Sequence, residues 1–367
     1  ILTKVIGVKF KENGKSYYFN PKDFNIKEND NVIVETVRGL EFGTIYVPNK
    51  DVNDEDIIEP LKKVIRKGLS YLTLTPLLKC TNWYKNLFLE DIYPGNIWYR
   101  EHDERNYDLV VLGSSGAKWG FDFSDSSIKA MNWAQAPQTL LESYNLLRNF
   151  HSILRKQGIV IMTIMPFTSL NKDTGLYDAL KYVKVHSHEP IQPYLYVKAR
   201  KCAEFPILLG KPAIKAIIKG IIGKDKSLDS KNSAQMSNPM SSEELDQNAL
   251  GFINGWKRQF AISDFNAPLT EGNQKGRQYR IALMRSLVDF CVERDYRVVF
   301  VIPPVTEHLS KYYTPVFEEI YIYSFLRELE RDVLTLDYSK DETLKDDKLY
   351  FNSFFMNKQG AAQFTNK

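Results

Sequence analysis

Four near-continuous apolar runs constrain this chain more than any other feature: "YDLVVLG" (107–113), "GIVIMTIMP" (158–166), "YRVVFVIPP" (296–304) and "VLTLDYS" (333–339). A strand with one wet face alternates apolar and polar residues, whereas a run apolar at every position suits a parallel strand covered on both faces. Helical patterns separate these runs. "PQTLLESYNLLRNFHSILRKQG" has apolar residues at 140, 141, 144, 147, 150, 153 and 154, which predicts a helix that stops at Gly158. "QYRIALMRSLVDFCVERD" and "TPVFEEIYIYSFLRELERD" carry the same spacing. Strands and helices in alternation predict an α/β domain with an open parallel sheet, a three-layer α/β/α sandwich.

Residues 1–67 read differently. "TKVIGVKF", "KSYYFN", "NVIVETV" and "EFGTIYV" are short runs separated by the turn formers Asn13-Gly14, Asn20-Pro21, Asn29-Asp30 and Arg38-Gly39. They predict a small β-rich unit, a barrel or curled sheet. Its 12 basic and 11 acidic residues nearly cancel, so no nucleic-acid surface is implied. The strings "TKVIGVKFKENGKSYYFNP", "VIVETVRGLEFGTI" and "IIEPLKKVIRK" resemble the start of the YaaT (RicT) family over residues 3–67. That resemblance implies a regulatory protein linked to sporulation and RNA-processing complexes. Members of the family continue into a cysteine-bearing domain associated with iron–sulfur ligation. Those cysteines do not follow here, so that function is not carried over. The abrupt change of text at Lys67–Gly68 and the start at Ile1 without Met fit a natural fusion or a chimera, with a segment missing before Ile1. Residues 68–367 are then expected to form the α/β domain, with an insertion at about 170–265.

The whole chain has 367 residues and a net charge of +4, too weak to argue for nucleic acid. Cys80, Cys202 and Cys291 are odd in number and far apart, so neither a disulfide framework nor a metal cluster is expected. No cofactor motif is present. The cysteine usage suits a reducing compartment, and a cytoplasmic location is expected. No apolar run approaches the ~20 residues of a membrane span.

Within the insertion, "FPILLGKPAIKAIIKGIIGK" (205–224) sets Ile214, Ile217, Ile218, Ile221 and Ile222 on one helical face with lysines elsewhere. Residues 195–232 hold nine basic and three acidic side chains, a local +6. Such a helix either covers the domain with a solvated lysine face or lies on an anionic membrane surface. Residues 225–242 read as a flexible loop, and Ser241 in "SSEEL" predicts a capping box with Glu244.

In an open α/β sheet, ligands sit beyond the carboxyl ends of the strands. Ser114 and Ser115, "MPFT" and "PPVT" all stand at such ends and predict one crevice. "LVVLGSSGAKWGFD" resembles the first block of the SGNH (GDSL) hydrolases, and "LYFNSFFMNKQGAAQFT" the closing block. The resemblance, over about residues 105–367, implies a flavodoxin-like sheet and an ester hydrolase or acyltransferase. Its nucleophile maps to Ser115, with Ser114 where an Asp would stand. The Asp and His of the closing Asp-x-x-His pair map to Asn352 and Phe355. A serine hydroxyl needs an adjacent base, and loss of that histidine costs on the order of 10⁶-fold. Of five histidines, only His308 in "PPVTEHLS" has a route from a strand end into the crevice; His102, His151, His186 and His188 do not. In "MNWAQAPQTL", Ala136 stands where the second block has its oxyanion glycine, leaving Asn132 and Gln138 as side-chain donors. The third block is not recognisable in "TIMPFTSLN", although Asn171 is near.

"LGSSGAKWGFDF", "NWAQAPQ", "HSILRKQGIVIMTIMPF" and "LYFNSFFMN" are also similar to a branch of SGNH-like proteins found near surface-polysaccharide genes, in which the Asp-x-x-His pair is absent. Two functions follow. One is an esterase or O-acyltransferase with Ser115 as nucleophile and His308 as substitute base. The other is a non-catalytic protein that binds a glycan or acylated glycan in a crevice lined by Ser114, Trp119, Asn132, Gln138 and Asn352.

Overall fold

The computed structural model describes residues 2–10, 15–36, 39–53, 61–67, 71–87, 106–170, 175–183, 193–224 and 240–367. The chain divides into two compact units. One comprises Ile1–Pro94 with Val197–Leu228, the other Gly95–Tyr196 with Asp229–Lys367. The helix Tyr71–Lys79 buries Leu74 and Leu78 and packs against the helix Lys211–Ile221, which ties residues from the expected insertion to the first strands. The flexible loop expected over 225–242 lies, as far as residue 239, outside the described residues.

The first unit is built on strands β1 (Leu2–Lys9), β2 (Ser16–Phe19), β3 (Asn31–Thr36), β4 (Gly39–Asn53) and β5 (Val64–Lys67). They pair antiparallel in the order β2-β1-β4-β3-β5. Asn20 joins the two edges: its N–H donates to the Lys62 carbonyl at 2.8 Å, and its carbonyl accepts from Val64 at 2.9 Å. One bridge, Asn20 to Lys63, thus links the two edge strands of the curled sheet. Inside lie Ile6, Val8, Phe19, Ile26, Val32, Val34, Ile45 and Val64.

The second unit holds β6 (Tyr107–Leu112), β7 (Ala130–Asn132), β8 (Leu154–Thr163), β9 (Arg297–Ile302) and β10 (Leu334–Asp337), all parallel. Their order is β10-β9-β8-β6-β7. Counted within the unit this is the 2-1-3-4-5 order of flavodoxin-like sheets, with its switch point between β6 and β8. Alternate side chains of each strand go to opposite faces. Val110, Leu112, Val160, Met162, Phe300 and Ile302 pack with the helices Leu140–Phe150 and Glu271–Val292. Leu109, Val111, Ile161, Val299 and Val301 face the other way, among Ala117, Leu344, Tyr350 and Phe364. Both faces are covered along β6, β8 and β9, as their apolar runs require, but β10 is exposed at all four positions, with Leu334 61% exposed, so "VLTLDYS" forms an edge strand open to water instead of a strand covered on both faces.

One element ends earlier than its periodicity predicts. The helix stops at Phe150, and Leu154 already pairs with Tyr107 in β8. Gln157, at φ 58°, and a register shift between Tyr107 and Leu109 absorb "RKQG" as a bulge. Apolar residues at 150, 153 and 154 satisfy a helical face and a strand start equally well, and pairing with β6 decides between them.

Candidate functional site

Gly113 ends β6 with φ +147°, and a Cβ there would lie 1.9 Å from the Thr163 hydroxyl oxygen. Only glycine can make so abrupt an exit beside β8. The chain then enters the short helix Ser115–Gly120, leaving Ser114 and Ser115 half-buried at the mouth of a crevice of about 610 Å³. The floor is Met165, Pro166 and Phe167 from the end of β8. The crevice therefore stands at the switch point of the sheet, where two neighbouring strands send their chains to opposite sides.

The helix Ser242–Phe260 forms one wall. Its Ser241 hydroxyl accepts from the Glu244 N–H at 3.3 Å, and the Glu244 carboxylate accepts from the Ser241 N–H at 2.8 Å, the capping box its sequence predicts. Leu245, Ala249, Ile253, Trp256 and Phe260 are buried on one side of it. Gln247, Asn248, Gly251, Phe252, Gly255 and Gln259 turn to the crevice.

The opposite wall is a tight turn within "YFNSFFM". Tyr350 bridges Met356, and the Asn352 side-chain oxygen accepts from the N–H groups of Phe354 and Phe355 at 2.9 and 2.8 Å. Two outside groups pin the turn. The Asn248 side-chain oxygen accepts from the Ser353 hydroxyl at 2.7 Å, and the Thr306 hydroxyl donates to the Ser353 carbonyl at 2.7 Å. Phe354 and Phe355 then line the crevice, their centroids 4.6 Å apart, with Phe354 set edge-on to Trp256 at 5.2 Å.

Of the residues singled out in the sequence, Ser114 and Ser115 reach the crevice. The Ser114 hydroxyl accepts from the Gln138 N–H at 3.2 Å. The Gln138 side chain is buried in its own loop: its oxygen accepts from the Gln135 N–H and the Tyr182 hydroxyl, and its amide donates to Ser143. Asn132 donates to the Ala117 carbonyl at 2.9 Å and accepts from the Ala134 N–H at 3.0 Å, tying β7 to the short helix. Trp119 is set edge-on to Phe351 at 5.7 Å and does not line the crevice. The Asn352 side-chain oxygen holds the turn and Asn352 does not line the crevice, while the Phe355 ring occupies the wall where the resemblance would put an imidazole.

His308 stands apart from the crevice lining. Its Nδ1 lies 2.8 Å from an Asp246 carboxylate oxygen and its Nε2 3.1 Å from one of Asp347. Burial opposes charging of the ring, yet the hydrogen bonds to Asp246 and Asp347 outweigh it and raise the pKa above the ordinary 6.5. Asp246 is in turn held low, first by Lys311 and then by His308. An imidazole with both nitrogens engaged by carboxylates has no free nitrogen to take a proton from Ser115. His151 approaches the Tyr296 hydroxyl at 3.1 Å instead. His102, His186, His188 and Asn171 lie outside the described residues.

Among the described residues, no Asp, Glu, His, Lys, Arg, Cys or Tyr lines the crevice. Nor do the described residues contain a cluster of His, Cys, Asp and Glu able to hold a metal. The arrangement offers aromatic faces, neutral amides and two hydroxyls, which suit binding, and no proton acceptor stands beside Ser115 among the described lining residues. What sequence reasoning missed is the whole Ser242–Phe260 wall. Its signal was present as two glycines four residues apart in an otherwise well-capped helix, where glycine costs about 1 kcal/mol relative to alanine.

No family model matches the chain. It is similar to the stage 0 sporulation protein YaaT of Bacillus subtilis (strain 168), with 55% identity over 62 residues. That alignment takes in 17% of this chain and 22% of YaaT, so the chain spans under a quarter of the relative's length. The length suits the small antiparallel β unit, whose strings carry the YaaT resemblance. No helix among the described residues is long and apolar enough to cross a membrane.

Proposed function

We propose that the α/β unit is an SGNH-like protein of a cell-surface polysaccharide pathway that binds a neutral glycan or acylated glycan in this crevice without turning it over. The observation that carries this reading is the absence of any ionisable side chain among the described lining residues. Aromatic faces such as Trp256 and Phe355 suit the apolar faces of sugar rings or an acyl group, and Asn248, Gln247 and Gln259 suit hydroxyls. The volume falls within the roughly 300–1,000 Å³ of small-ligand sites. For the first unit we infer a YaaT-type regulatory segment, carried in a cytoplasmic chain; the 62-residue similarity supports the segment and leaves YaaT's own role with YaaT.

The test pairs binding with turnover. A glycan array probed with the full chain should give hits that survive Ser115→Ala, while p-nitrophenyl acetate should be hydrolysed no faster by the wild type than by the variant. A Ser115-dependent rate, or labelling of Ser115 by a fluorophosphonate, would replace this reading with the esterase or O-acyltransferase one.

A further inference from the structure

The segment 197–224, which runs from the helix Pro193–Glu204 into the helix Lys211–Ile221, carries more apolar and cationic surface than its packing uses. Its covered side is accounted for. Ala199, Cys202, Ile207, Ala213, Ala216 and Ile217 are buried, and a Cβ on Gly220 would touch Thr81 at 3.5 Å. This is the packing expected of a helix that merely covers a neighbour.

The other side is left to water. Ile221 is 53% exposed, Ile222 50%, Val197 50%, Phe205 39% and Leu208 38%. Lys198, Arg200, Lys201, Lys211, Lys215, Lys219 and Lys224 are all exposed as well, against Glu204 as the single acid between residues 197 and 224. That segment carries +6, more than the +4 of the entire chain, so the remaining residues are net acidic. None of the seven cations forms an ion pair among the described residues.

Position on the helix matters as much as charge. Lys211, Lys215 and Lys219 recur every four residues along one line. Ile214, Ile218 and Ile221 form the adjacent line, the first two half-buried at its edge. Cationic stems flanking an aliphatic strip let the strip enter an acyl boundary while the ammonium groups stay among headgroups. We propose that residues 197–224 are a docking surface for an anionic lipid bilayer, on which the Lys211–Ile221 helix lies in the plane of the interface.

A nucleic acid would satisfy the charges but leave Ile221, Ile222, Phe205 and Leu208 against water, because phosphate contacts are polar. An anionic bilayer satisfies both. This proposal is independent of what the crevice binds.

The experiment is co-sedimentation of the full chain with phosphatidylcholine vesicles with and without phosphatidylserine. The chain should pellet with the phosphatidylserine vesicles, less so as salt is raised, and weakly with phosphatidylcholine alone. Replacing Lys211, Lys215 and Lys219 together by Gln should weaken the partition constant about 100-fold, near fivefold for each charge. Ile221→Ser with Ile222→Ser should weaken it too, since the strip and not charge alone holds the chain. All five positions are exposed, so circular dichroism should be unchanged in both variants. Equal sedimentation with and without phosphatidylserine, or binding indifferent to the lysine replacements, would overturn the proposal. So would binding indifferent to the isoleucine replacements combined with tighter binding to a DNA or RNA duplex.

Discussion

Gly251 and Gly255 face the crevice with nothing within 4 Å of where a Cβ would stand. At Gly113 the opposite holds, because Thr163 fills the space and the backbone is one that side chains rarely adopt. The two kinds of glycine make different predictions. Gly251→Ala and Gly255→Ala should each stabilise the chain against urea by up to about 1 kcal/mol, since the helix gains propensity and nothing clashes. The same methyl groups project into the volume a ligand would fill, so glycan binding should fall while stability rises. A variant that loses both stability and binding would show that these glycines serve packing. Asn352 makes a related point. Where the SGNH pattern has a carboxylate to orient an imidazole, its amide oxygen accepts two backbone N–H groups and shapes the turn that aims Phe354 and Phe355.

Between elements, the clasp around His308 ties three segments of the second unit together. Asp246 belongs to the Ser242–Phe260 wall, His308 to the helix Glu307–Ser310 after β9, and Asp347 to the turn Asp347–Leu349 that leads into "YFNSFFM". Lys311 sits on the same Asp246 carboxylate. The folded pKa of His308 is raised, so the clasp's contribution is complete below the ordinary histidine range and is lost as pH rises through the raised value. Melting temperature measured against pH should therefore fall on the alkaline side of that range in the wild type. In His308→Gln this component should be missing, because the amide has no proton to lose. Identical pH profiles for the two proteins would exclude the clasp as a source of stability. The walls of the crevice are joined by this contact and by the Asn248–Ser353 pair; loosening the His308 clasp, whose residues lie outside the lining, should reach the ligand site without touching it.

At the scale of the molecule, two units with separate cores predict two unfolding events. Calorimetry should resolve two transitions, and Ile6→Ala should lower the one that belongs to the curled β sheet by about 2–5 kcal/mol while leaving the other in place. Ile6 is fully buried in that core. A single transition that shifts as a whole would mean that the units unfold together. The chain's division also shows where linear reading loses track: Tyr71–Lys79 and Lys211–Ile221 are some 130 positions apart in the chain and pack together.

Periodicity and composition were enough to point to four of the five parallel strands, the small β unit ahead of them, the Ser241 capping box and the serines at a strand end, because each depends on neighbours within a few residues. That residues 352 and 355 are Asn and Phe was equally plain, being a matter of residue type. Tertiary structure alone decided that His308 is held by Asp246 and Asp347, that Gln138 spends its hydrogen bonds on Gln135, Ser143 and Tyr182 and Asn132 on Ala117 and Ala134, and that the Ser242–Phe260 helix walls the crevice. Those outcomes depend on which distant groups meet, and hydrogen-bonding capacity, once satisfied by one partner, is closed to another.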